Sequence, residues 1–294
     1  MSNFTERSPT FLPGQTLLLL PSLKHALEKW PALANRLARA PLYAMHAEAL
    51  PQQLGCTLSL AAIKLAGVSK NWRMDKLLRA RFVCADLAQL RVEVNGVRAL
   101  AIGNLTLTNQ QDDQATALVS SCLEDTGIVL HRVCPGQYVL ELPASVPSPV
   151  ALAPSQLIGS ALSGQLPEPV RWRQLLNESQ MLLAQSPIGS ANSLWFYGAD
   201  LPNQSSVAPL AVNLASASND SLLLGLQALN PEVPKPALNI FDWRAASDKM
   251  SEMPNQSVWI SFDSGELFFA GRFDALKFWR QRRSFTSKHI HASD

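Results

Sequence analysis

Residues Arg171–Pro202 read RWRQLLNESQMLLAQSPIGSANSLWFYGADLP. Downstream of Pro167 and Pro169, the spacing puts Trp172, Leu175, Leu176, Ser179, Leu182 and Leu183 on one stripe, which predicts a half-buried helix stopped by Pro187. Ser193-Leu194-Trp195-Phe196-Tyr197 then forms a continuous apolar run closed by Gly198. Such a run predicts a strand covered on both faces, with a close backbone approach at its end. Helix, tight turn and buried strand in immediate succession form the unit around which the rest of the chain is read.

The candidate binding residues of this unit are Glu178, Gln180, Asn192, Trp195 and Asp200. Glu178 lies within one turn of Leu175 and Leu182, at the edge of the apolar stripe, while Asn177, Gln180 and Met181 share a neighbouring sector. Polar groups at such an edge need partners, so Glu178 and Gln180 either bond to adjoining backbone or an arginine, or line a cleft. Asp200 follows the end of an interior strand, where α/β sheets place sites, although an acid beside Leu201-Pro202 also serves as a turn former. No catalytic residue is assigned, because the stretch has no histidine, cysteine or glycine loop that names a reaction.

The run LLNESQMLLAQSPI followed by NSLWFYGADLP resembles the signature of the RpfE-type regulatory protein family, proteobacterial proteins of unassigned biochemistry sometimes labelled phosphoglycerate mutase. The matching positions are Asn177, Glu178, Gln180, Met181, Leu183, Pro187, Asn192, Ser193, Leu194, Trp195, Gly198, Leu201 and Pro202. Ala184 and Ser186 stand where the family pattern has histidines, Gly189 where it has asparagine, and Tyr197 and Ala199 where it has Trp and Gly. The resemblance is specific at this motif and loose elsewhere, from about Cys84 through Gly127 and again at the C-terminal KFWRQRR. It implies a regulatory or protein-interaction role, with an accessory function to a nucleic-acid-processing enzyme such as the single-strand exonuclease RecJ. The label carried by relatives implies a phosphoglycerate mutase-like phosphotransfer enzyme instead.

Composition narrows these classes. The chain has 294 residues, 47% of them hydrophobic, which suffices for a large core. Charged residues make up 16% and the net charge is +2, so no overall field draws in nucleic acid or an acidic membrane. Direct nucleic-acid binding is therefore expected to be weak or absent. Cys56, Cys84, Cys122 and Cys134 are widely spaced, without a CxxC or a nearby histidine pair, so neither a metal site nor a redox motif is expected, and no cofactor is. Leu17–Leu20 is too short, and too soon broken by Pro21, for a signal peptide, and no run reaches the roughly 20 apolar residues of a membrane span. A cytoplasmic protein without membrane contact is expected. His25, His46 and His131 have no partners at ligand spacing.

In chain order, Gln15–Leu20 predicts a first buried strand. Ser22 caps a helix carrying Leu23, Leu27 and Trp30, and Pro31 opens a second with Leu33 and Leu37. Residues 42–66 read as helix interrupted near Pro51 and Gly55. Phe82 to Val94 and Val97 to Ile102 predict an antiparallel pair about Asn95-Gly96. Thr108 caps a helix with Ala115, Leu118, Val119, Cys122 and Leu123 buried, and Gly127 ends it. A second hairpin turns at Pro135-Gly136. Pro143, Pro147, Pro149 and Pro154 predict an inter-lobe crossing. Later, 207–214, 238–243, 258–262 and 267–269 predict strands, 155–162 and 219–229 helices, and 272–283 a final helix followed by the cluster Arg280, Arg282, Arg283. That cluster is read either as charge favoured at a helix C-terminus or as a phosphate or nucleic-acid contact.

These readings predict an α+β fold of two lobes with mixed or antiparallel sheets flanked by helices. The expected division is an N-terminal lobe of residues 1–145 and a C-terminal lobe of 146–294 carrying the NESQM and NSLW motifs. The expected partner is another protein.

Overall fold

A computed structural model describes residues 9–38, 40–68, 72–94, 96–162, 164–199, 211–215, 218–229, 237–244, 257–263 and 265–270. In chain order the elements are β1 (Thr16–Leu20), α1 (Leu23–Lys29), α2 (Ala32–Leu37), β2 (Leu42–Ala44), α3 (Leu50–Gln53), α4 (Leu60–Val68), α5 (Met74–Arg79), β3 (Arg81–Glu93), β4 (Gly96–Ile102), α6 (Asn109–Cys122), β5 (Val129–Cys134), β6 (Gln137–Leu142), α7 (Pro154–Leu157), α8 (Val170–Gln185), β7 (Ser193–Tyr197), β8 (Val212–Leu214), α9 (Ser221–Ala228), β9 (Leu238–Asp242), β10 (Val258–Phe262) and β11 (Glu266–Ala270). The fold is α+β, with one mixed and one antiparallel sheet flanked by helices. The final helix expected at 272–283 lies outside the described residues.

The chain forms two compact units, both discontinuous in sequence. The first comprises Met1–Cys56, Val207–Asn219 and Asn230–Asp294, and the second Thr57–Ser206 and Asp220–Leu229. The division therefore differs from the expected boundary at 145/146, which falls inside the second unit. The reason is strand pairing: β7, from beyond the proline cluster, hydrogen-bonds to β3, so the prolines cross within one unit.

The first unit is built on a six-stranded sheet of order β2-β11-β10-β1-β9-β8. Strands β10, β1, β9 and β8 run parallel, and β11 and β2 close the sheet antiparallel. Strand β1 is central, and its four consecutive leucines are all buried because both faces are covered. Leu18 and Leu20 pack with Leu27, Trp30 and Leu33 of the α1–α2 layer and with Ile260 and Phe268. Phe11, Tyr43 and Phe269 gather around Trp259, with ring centroids 5.2, 5.4 and 4.8 Å away. Ser22 accepts from the His25 backbone N–H to cap α1, and Pro31 occupies the cap of α2. Residues 42–44, expected to be helical, instead form β2, because β11 supplies an edge that outweighs the helix-favouring composition there.

The second unit has a five-stranded sheet around the 13-residue strand β3. Leu87 donates to Gly136 O and accepts from Gly103 N, so β6 and then β4 follow one edge of β3. Strand β7 occupies the other edge, with Ala88 O accepting from Asn192 N. The register puts Asp86, Gln137 and Tyr197 on the face covered by α4, and Phe196 on the opposite face, where Trp172 of α8 meets it at 4.9 Å between ring centroids. Thr108 and Gln111 form a reciprocal capping box on α6. Helix α8 ends at Gln185, two residues before Pro187, with Trp172, Leu175, Leu176, Ser179 and Leu183 buried.

Candidate functional site

The motif residues divide into those that build the helix and strand and those that face outward. Asn192 acts as a backbone surrogate: Leu90 N donates to its Oδ1 at 2.8 Å and its Nδ2 donates to Leu90 O at 2.6 Å. The amide thus prolongs the β3–β7 ladder at Leu90, where the β3–β4 register shifts. Ser179 Oγ donates to Leu176 O and accepts from Leu194 N at 3.2 Å, tying α8 to β7. Gln180 Nε2 reaches Ser193 Oγ at 3.4 Å. Trp195 is fully buried, and its indole N–H donates to Leu152 O at 2.9 Å. Glu178 stands exposed on α8 beside Asn177 and Met181, and Met181 is 64% exposed. Burial pushes the Cys122 thiol up, and the Glu178 carboxylate adds to that shift, which places Glu178 toward α6. Asp200 and the Arg280, Arg282, Arg283 cluster lie outside the described residues.

A second constellation was not visible in the motif. Lys64 projects from the apolar helix α4 into the sheet, where its ammonium donates to Tyr197 Oη at 2.8 Å and lies 3.5 Å from Asp86 Oδ2. Tyr197 Oη in turn donates to Asp86 Oδ2 at 2.6 Å, and Gln137 Oε1 accepts from Lys64 at 3.4 Å. Lys64 and Asp86 are both buried. Burial alone pulls a lysine down, but the Asp86 carboxylate together with the smaller contributions of Cys84, Asp220 and Cys134 holds Lys64 above the usual lysine range, while burial pushes the Asp86 carboxyl up. Through these hydrogen bonds the cluster ties α4 to β3 and β7. The signal in the sequence was one lone cation in LAAIKLAG and one lone anion in FVCADLAQL.

In the first unit, acids and an arginine meet at the carboxyl edge of the parallel strands, the side of such sheets where ligands bind. Asp242, the last residue of β9, is gripped by Arg244 through Nε and Nη2, both at 2.8 Å, and accepts from Ser218 Oγ at 2.6 Å. Asp263, following β10, lies 3.9 Å from Arg244 Nη1. Burial pushes the Asp242 carboxyl up, yet Arg244 and Ser218 outweigh it and hold it below the ordinary aspartate range. A folded-state pKa below the unfolded one stabilises at neutral pH, and that stability is lost as pH falls below about 4. Asp242→Asn is therefore expected to flatten the acid limb of the unfolding midpoint against pH. An acid limb identical to that of the unsubstituted chain would show that the pair contributes nothing.

Among the described residues no group of three or more His, Cys, Asp or Glu side chains is placed to hold a metal ion, and no helix is long and apolar enough to cross a membrane. No family model and no curated protein matches the chain. Among solved structures, a PH0037 protein from Pyrococcus horikoshii is similar, with 12% sequence identity and a TM-score of 0.43 over 89% of this chain and 88% of that one.

Proposed function

We propose that this chain is a non-catalytic regulatory protein that acts by binding another protein, with Asn177, Glu178 and Met181 on the exposed face of α8 as its contact. One observation carries the reading: within a single motif, Ser179 ties α8 to β7, Asn192 ties β7 to β3 and Trp195 bonds to Leu152 O, whereas Glu178 and Met181 are exposed. An exposed methionine beside polar side chains is adaptable contact surface. The resemblance to RpfE-type proteins makes a nucleic-acid-processing enzyme such as RecJ the first partner to test. A net charge of +2 suits contact with that enzyme better than with its substrate. The cysteines are present as thiols, which fits a cytoplasmic location.

The test separates contact from scaffold. Glu178→Ala with Met181→Asp is expected to weaken partner binding at least tenfold, about 1.4 kcal/mol, while the thermal midpoint stays within the scatter of surface substitutions. Asn192→Ala is expected to cost roughly 1–3 kcal/mol of stability by unpairing Leu90. If the α8 variant melts early, or binds its partner unchanged, the assignment is wrong.

A phosphoglycerate mutase-like phosphotransfer activity is the second reading, favoured by the grouping of Ser218, Asp242 and Arg244 at the carboxyl edge of the parallel strands. Against it, both oxygens of Asp242 already engage Arg244, which lowers its basicity. Mutase turnover by the full chain, abolished by Asp242→Asn, would replace the interaction reading.

A further inference from the structure

The segment Trp72–Arg81, WRMDKLLRAR, forms a second and separate surface feature of the second unit. It is anchored from beneath. Leu77 is buried, and the Trp72 ring meets Phe82 and His131 edge-on at 5.9 and 5.0 Å between centroids. Lys76 lies 4.9 Å above the Trp72 ring and 3.0 Å from Glu141 Oε2, which also contacts His131 Nε2 at 3.1 Å. With the segment so fixed, its outer side carries both apolar and cationic side chains. Met74 and Leu78, one turn apart on α5, are 43% and 53% exposed. Arg79, which follows Leu78 in the chain, is exposed, and Arg73, which precedes Met74, is 82% exposed in its side chain, paired only at the surface with Asp75. An exposed pair of this kind is weak and can be exchanged for a better carboxylate. Four cations against one carboxylate in ten residues make this a local basic surface on a chain whose net charge is only +2.

We infer that this surface docks an acidic, amphipathic segment of a partner protein, its carboxylates on Arg73 and Arg79 and an apolar side chain across Met74 and Leu78. Charge complementarity selects acid, and the planar guanidinium forks suit carboxylates bidentately. The same geometry disfavours the other anionic partners. The apolar ridge is two side chains on a six-residue helix, too short for the broad apolar face that lies in a bilayer. The aromatic ring that could stack on a base is engaged with Phe82 and His131, and Asp75 sits among the cations. This inference does not depend on α8.

The test is selection of binders by the full chain from a displayed library of random peptides. The unsubstituted chain is expected to enrich sequences combining Asp or Glu with Leu, Ile or Phe. The best peptide is expected to lose about tenfold affinity or more in Arg73→Glu/Arg79→Glu, and comparably when salt rises from about 50 to 300 mM. Met74→Ser/Leu78→Ser is expected to weaken it without changing the salt slope, and Glu178→Ala/Met181→Asp to leave it unchanged, which separates failure here from failure at α8. Circular dichroism melts confirm that each variant folds. Enrichment without acidic bias, or binding indifferent to both α5 variants, would overturn the inference. Sedimentation with phosphatidylserine vesicles that Arg73→Glu/Arg79→Glu abolishes, in the absence of acidic peptide selection, would assign the surface to a membrane and overturn it equally.

Discussion

Gly225→Ala is expected to destabilise the second unit by roughly 3 kcal/mol or more, and Gly225→Val to prevent it from folding. A Cβ at Gly225 of α9 would lie 1.9 Å from the carbonyl oxygen of Ile63 and 2.7 Å from its carbon. The relation is mutual: a Cβ at Gly67 of α4 would lie 2.3 Å from Ser221 O and 2.7 Å from Gly225 N. Both obstacles are backbone, which no rotamer change can move, so the two helices would have to separate and open the apolar layer of Leu222, Leu223 and Leu226 along with Ile63. The cost thus exceeds that of adding a methyl group against a side chain, and loosening so buried a layer removes further contact area. Gln227→Ala, half-buried on the same helix, serves as a control expected to stay within about 0.5 kcal/mol. Urea unfolding measures all three. A Gly225→Ala chain as stable as the control would show that α9 does not sit against α4 as described.

That contact explains part of what the sequence concealed. The helix expected at 219–229 forms at 221–228, where Asp220 accepts from Leu222 and Leu223 N–H as its cap. Its membership in the second unit was not legible, because it joins α4 from the far side of β8 in the chain, and neither glycine is distinguishable locally from one that merely tolerates a helix. Hairpins with short turns, β5–β6 above all, were readable because their partners are adjacent. The pairings β1–β9, β1–β10 and β3–β7 link residues far apart, which only packing decides. Hence the helix and strand of the central motif were correctly outlined while the unit boundary was not. The site shows the same division. Glu178 at the edge of an apolar stripe is a reading of helical period, and it stands exposed. Asn192 as a surrogate for backbone depends on where β3 runs, which no local pattern encodes.

Lys64→Met is expected to cost roughly 3–5 kcal/mol, because it leaves the Asp86 carboxylate buried without its cation. Asp86→Leu alone should cost a similar amount, since the ammonium of Lys64 would then remain in the apolar layer between α4 and the sheet. The double variant Lys64→Met/Asp86→Leu is expected to be far closer to the parent than the sum of the two, as the desolvation of both charges disappears with them. Tyr197→Phe, which removes the hydroxyl that bonds both partners at 2.8 and 2.6 Å, should fall between, at about 1–3 kcal/mol. The space around the pair constrains the replacement: a Cβ at Gly103 would already lie 2.5 Å from Asp86 Oδ2, so Leu at 86 must turn away from that turn. The pH dependence carries an independent sign. Lys64 is held above its unfolded value, so its contribution is complete below about pH 10 and disappears only as pH rises through the higher folded-state value. The Cys56 and Cys134 thiols and the Tyr138 hydroxyl are also pushed up by burial, so the parent chain should lose stability at alkaline pH through all four groups, and Lys64→Met should show a shallower alkaline limb rather than none. Additive single costs in the double variant, or an alkaline limb unaffected by removing Lys64, would mean that the ammonium and carboxylate do not act as a pair, and that α4 is held to β3 and β7 by apolar contact alone.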